Sequence, residues 1–109
     1  MRMKKAYIGK WRITEMEQWD EDYIDLVAPG HLTVKNDGTG LLAFGAFEAE
    51  IDCRLESVHG VERLEFSLMG SDEGDEVCGR GWAEIMGRNL KGRIYFHMGD
   101  DSSFSAVKK

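Results

Sequence analysis

The sequence predicts an all-β fold: a single antiparallel up-and-down barrel of about eight strands, with one short helical turn near residues 19–27. Three observations lead there. Short runs of apolar, β-branched or aromatic residues recur along the whole chain, each closed by a turn rich in Gly or Asp. Thirteen Gly against a single Pro disfavour a helical bundle, since each helix-interior Gly costs about 1 kcal/mol. Finally, 109 residues allow one core only. An open sheet of that size would leave a large apolar face uncovered, whereas eight strands can close on themselves and fill the interior with side chains.

The elements follow in order. A first strand covers residues 7–19, with Trp11 and Ile13 on one face. Acids at 20–22, followed by apolar residues at helical spacing, place one or two helical turns before Pro29-Gly30. Residues 31–35 form a second strand, and Asp37-Gly38 supplies a tight turn into a third at 41–44. From Phe47 the alternation is cleanest: Phe47, Ala49, Ile51, Cys53 and Leu55 take one face, and Glu48, Glu50, Asp52, Arg54 and Glu56 the other. A turn at His59-Gly60 leads into 61–69, where Leu64, Phe66 and Leu68 alternate with polar neighbours. An acidic loop at 71–76 follows. Residues 77–86 make a sixth strand in which Gly79 and Gly81 mark strong coiling. Strands at 90–98 and 103–107 complete the count.

Charge narrows the partners. With 14 Lys and Arg against 20 Asp and Glu the net charge is −6, a poor balance for binding nucleic acid or an anionic membrane. No apolar run follows the basic N-terminus to make a signal peptide, so the reducing cytoplasm is the expected location. There Cys53 and Cys78 are expected as free thiols, Cys53 buried and Cys78 accessible. Neither the cysteines nor His31, His59 and His97 have metal-ligand spacing, and no cofactor motif is present.

Gly9-Lys10-Trp11-Arg12-Ile13 resembles the Gly-x-Trp opening of the calycins, the lipocalin and fatty-acid-binding barrels. Gln18-Trp19-Asp20 and Tyr23 are similar to the Asn-Phe-Asp and following Tyr of fatty-acid-binding proteins. Arg93-Ile94-Tyr95 resembles the Arg-x-Tyr pair with which those proteins hold a ligand carboxylate. The resemblance implies ligand-binding roles for Trp11, Arg93 and Tyr95. It departs from the family in two ways: Pro29-Gly30 leaves no room for a helix-turn-helix lid, and a further hairpin follows Arg93-Ile94-Tyr95. The chain also looks like small uncharacterised bacterial proteins.

Other chemistry weighs less. Trp11 is expected to plug one end of the barrel, with Arg93 or Arg80 stacked across its indole. The parity of 90–96 sends Ile94 and Phe96 inward if the core is dry, and Arg93 and Tyr95 inward if it is a wet cavity. Glu15 and Glu17 share strand parity with Trp11. They read either as an acid/base pair or as residues turned outward by a β-bulge near Met16, the bulge being the commoner device. Asp72, Glu73, Asp75 and Glu76 read either as oxygen ligands for a hard cation or, the ordinary explanation without EF-hand spacing, as a solvated acidic turn, and Asp100 and Asp101 invite the same reading. No Ser/His/Asp order, nucleophile elbow or phosphate-cradling loop can be assembled, and an enzyme using Glu15 or Glu17 is the least supported reading. Two functions remain: a binding module for a small apolar or amphipathic ligand, or a solid-core barrel that meets a partner or a second copy through Trp19, Trp82, Tyr23 or Tyr95.

Overall fold

The computed structural model describes residues 3–109. Its eight strands are β1 (Gly9–Met16), β2 (His31–Val34), β3 (Thr39–Phe44), β4 (Phe47–Val58), β5 (Val61–Asp72), β6 (Asp75–Met86), β7 (Asn89–Phe96) and β8 (Asp101–Lys108). Each pairs antiparallel with the next, and β1 pairs with β8 to close the barrel. The one helix among the described residues, α1 (Glu21–Ile24), lies within the expected stretch. It starts where Asp20 caps the first turn, the carboxylate accepting from Tyr23 N at 2.9 Å. Among the described residues no helix is long and apolar enough to cross a membrane.

The strict alternation of β4 is realised residue by residue. Phe47, Ala49, Ile51 and Cys53 are buried, while Glu48, Glu50, Asp52 and Arg54 are exposed. Leu64, Phe66 and Leu68 from β5, Leu90 and Ile94 from β7, and Phe104 and Ala106 from β8 complete the interior. Leu32, Leu42, Leu64, Leu90, Ile94 and Ala106 are each 0% exposed, so no water-sized space touches them. The barrel is solid at mid-height.

The expected bulge in β1 is present, though two residues before Met16. The β1–β8 register shifts between Ile13 and Glu15, which leaves Thr14, Glu15 and Glu17 outside and buries Met16. The acids thus face solvent on a bulged strand. The acidic loop expected at 71–76 is shorter than its composition suggests. β5 and β6 run on through Asp72↔Asp75, and Glu73-Gly74, both at positive φ, turn the hairpin in two residues. The coiling glycines do what their positions suggest: a Cβ on Gly79 would lie 2.0 Å from Tyr95 O, and one on Gly81 would strike the Phe66 ring.

Candidate functional site at the aromatic mouth

An up-and-down barrel gathers the ends of its odd strands and the starts of its even strands at one pole. Here that pole collects Trp19 beyond β1, Phe44 at the end of β3, Phe47 at the start of β4 and Phe96 at the end of β7. Their rings form a closed cycle, with centroid separations of 5.0 Å for Trp19–Phe44, 5.1 Å for Phe44–Phe47, 5.1 Å for Phe47–Phe96 and 6.2 Å for Phe96–Trp19. Tilted and edge-on arrangements at such distances stabilise aromatic pairs.

Local structure holds this cycle in place. After β1 the chain keeps following β8, Glu17 N donating to Ser103 O and Gln18 N to the buried Ser102 Oγ. That course carries Trp19 over the barrel end. Tyr23 of α1 stacks beyond Trp19 and lies flat against Gly45, where an added Cβ would meet the ring at 2.2 Å. Gly45 N donates to Ile24 O, which ties the β3–β4 turn to the helix. Arg12 reaches from β1 to Asp25 at 2.6 Å, and Asp25 also accepts from Gly30 N. The segment between β1 and β2 is thereby pinned as a partial cover.

Above the rings lies a pocket of 290 Å³, lined by Trp19, Tyr23, Phe44, Phe47, Val77, Cys78, Phe96 and His97, with Asp72, Glu76, Gly99 and Asp100 around it. The surrounding segments 17–30, 70–76 and 97–102 contain ten Asp or Glu besides Glu17 and no Lys or Arg. The opposite pole carries Lys4, Lys5, Lys10, Lys35, Arg88 and Lys108. The barrel is electrically polar, acidic at the mouth and basic at the floor.

The residues singled out by resemblance are not brought together. Trp11 lies buried in the floor, its Nε1 donating to Tyr7 O at 3.0 Å. Arg93 and Tyr95 lie on the outer wall, since Ile94 takes the interior. Arg93 pairs with Asp101 at 2.8 Å and Glu17 at 3.4 Å. The expected Arg cover of Trp11 is absent: Lys108 Nζ sits 4.5 Å from the indole centroid instead. Strand parity sends both arginines outward, where Arg80 stacks on Tyr95 and Arg63 covers Trp82. Lys108 reaches the indole because it is Trp11's Cα partner across the β1–β8 ladder, on the same parity as the buried Phe104 and Ala106. Tyr95 and Arg80 instead line a broad outer groove of 1030 Å³, together with Leu41, Met69 and Cys78.

Sequence reasoning missed Phe44, Phe47 and Phe96 as site residues. The signal was available in Phe44-Gly45-Ala46-Phe47, two aromatics on either side of one turn.

The two thiols differ sharply. Burial pushes Cys53 up to about 12, while Cys78 is exposed on the wall of the mouth. A thiol-specific chromogenic reagent is expected to titrate one group in the folded protein and two after unfolding, and Cys78→Ser should abolish the fast reaction. Fast labelling that survives Cys78→Ser would contradict this assignment. Since both thiols are free, a reducing agent should leave the melting temperature unchanged.

No protein-family model matches the chain, and no curated protein matches it. Among solved structures it is similar to the apo crystal structure of lipid binding protein 8 of Caenorhabditis elegans, with a TM-score of 0.53 and 12% identity over 100% of this chain and 99% of that one. Together with the closed eight-stranded meander, this likeness identifies the fold as a calycin-like small β-barrel.

Proposed function

We propose that the protein is a binding module that holds a small apolar or amphipathic molecule at the aromatic mouth, with Trp11 sealing the opposite end. The observation that carries this reading is the 290 Å³ pocket framed by the Trp19, Phe44, Phe47 and Phe96 cycle. That volume is at the lower end for small-molecule sites, which are mostly apolar with a few placed polar groups. The solid interior limits the ligand to the mouth, so a compact molecule or the end of a chain suits it better than a whole folded fatty acid. That the structural neighbour is a lipid binding protein supports an apolar ligand. Two unpaired thiols support a reducing, cytoplasmic setting.

The test is a thermal-shift screen of compact apolar and amphipathic molecules, with Cys78 labelling as a second readout. A ligand at a hundred times its Kd should add about 2.7 kcal/mol of stability. It should also slow modification of Cys78. Phe96→Ala should abolish both effects. Arg93→Ala and Tyr95→Ala, on the outer wall, should retain them; loss of binding in these two would favour the carboxylate-holding arrangement implied by the resemblance. A panel that neither raises the melting temperature nor protects Cys78 would overturn the reading. The competing interaction module would then lead, favoured by Met69, which is 72% exposed beside the outer groove. Its proposed aromatic anchors are scattered, with Trp19 and Tyr23 at the mouth and Trp82 under Arg63.

A further inference from the structure

The geometry points to an organic cation, an apolar molecule bearing an amine or ammonium group, as the class of ligand taken at the mouth, with the Asp72 carboxylate meeting its positive head. This rests on the mouth being a ligand site. Asp72 ends β5 on the parity of Leu64, Phe66 and Leu68, the strand's interior face. Its Cα partner across the ladder is Phe47, so the acid stands beside the aromatic cycle. Its Oδ1 is shielded from solvent and has no hydrogen-bond partner among the described residues. A shielded carboxylate oxygen without a donor is unfavourable until a donor or a cation reaches it.

The rings supply a separate argument. The face of an aromatic ring is the negative pole of its quadrupole, and clustered rings are a recurring way to hold ammonium groups. The surroundings act in the same direction. With no Lys or Arg in the segments around the mouth and His97 as the basic side chain of the pocket lining, an approaching anion meets mainly like charge, while a cation is drawn in. The nearby guanidinium of Arg93 is already held by Asp101 and Glu17. A bare metal ion suits the site poorly. Among the described residues no three His, Cys, Asp or Glu converge to hold one, and rings offer no oxygen ligands to a hard cation.

The experiment compares three ligands of one chain length, octyltrimethylammonium, octanol and octanoate, by calorimetric titration of the wild type and of Asp72→Asn. The ammonium is expected to bind at least tenfold more tightly than octanoate, and added salt should shrink the gap. Asp72→Asn, nearly the same shape, should remove most of that preference while changing octanol affinity far less than the ammonium's. Asp100→Asn, at a second acid of the pocket wall whose carboxylate is not among the shielded, partnerless ones, should give a smaller loss and serves as the second variant if Asp72→Asn fails to fold. Equal binding of all three ligands, or tighter binding of octanoate, would overturn the cation assignment and leave the binding module standing. Binding of none, with Cys78 unprotected, would overturn the binding reading itself.

Discussion

Ile51→Asp is expected to unfold the domain, while Glu50→Ala leaves it nearly untouched. The two residues are neighbours in β4, yet Ile51 is 3% exposed and Glu50 faces solvent. Ile51 pairs with Leu68 on one side and Gly40 on the other, inside a barrel with no free space at mid-height. An aspartate there loses the isoleucine's apolar contacts, about 2–5 kcal/mol, and brings a carboxylate with no partner at a further cost of about 3–5 kcal/mol, so the two together reach the stability of a small domain. A domain of this length has about 5–15 kcal/mol to lose. Glu50 lies between Leu41 and Met69 on the outer wall and makes no ion pair, so its removal should change stability by no more than about 0.5 kcal/mol. Urea denaturation followed by circular dichroism measures both. Comparable losses at the two positions would contradict the register of β4 and with it the inside and outside of the barrel.

That contrast marks what was legible in the sequence. Where one face is buried and the other wet, period-two alternation is enforced by burial itself, and β4 and β5 can be read directly from 47–68. A bulge in β1 was legible for the same reason, since two acids on an apolar parity cannot both stay inside, but the sequence points to Met16 for it and the ladder puts it at Thr14. The tip of the β5–β6 hairpin was not legible, because Ser71-Asp72-Glu73-Gly74-Asp75-Glu76 has loop composition. Its ladder continues through backbone hydrogen bonds, which composition does not encode, up to a two-residue turn. The mouth was hidden for a different reason. Phe44 and Phe47 flank one turn, but Trp19 and Phe96 come from segments far from it in sequence and join it only because the meander brings their strand ends to one pole. The acids around them look like unrelated solvated turns until the topology places those turns side by side. The cover of Trp11 went to Lys108 because strand parity turned both candidate arginines outward, while Lys108 shares the interior parity and stands opposite Trp11 in the β1–β8 ladder.

Trp11→Ala should cost about 3–5 kcal/mol, the range for truncating a buried large aromatic. The indole is 3% exposed, beside the buried Met3 and Tyr7, and it closes the floor of the barrel. Its Nε1–H donates to Tyr7 O, fixing the turn that leads into β1, so Trp11→Phe should recover part of the loss but not all of it. The Lys108 ammonium over its face accounts for a smaller share, about 0.5–1 kcal/mol. Lys108→Met should therefore be mild, and its effect should vanish when Trp11 is already Ala, the signature of a direct interaction in a double-mutant cycle. Burial against the floor lowers the Lys108 pKa, and the linkage follows from that sign. With the folded pKa below the unfolded one, this desolvation offsets part of the ring's attraction for the ammonium at neutral pH, and the offset fades as pH rises through the folded and then the unfolded value. The wild type should thus gain slightly on Lys108→Met in alkaline solution relative to the variant. Floor and mouth lie at opposite ends of a molecule 35 Å long, so a Trp11→Ala protein kept folded at low temperature should retain the ligand affinity of the wild type. A loss of affinity equal to the loss caused by Phe96→Ala would show that the two ends are coupled through the core. Stability lost at the floor with affinity intact would instead separate the two roles, Trp11 holding the barrel shut and the aromatic cycle at the other pole receiving the ligand.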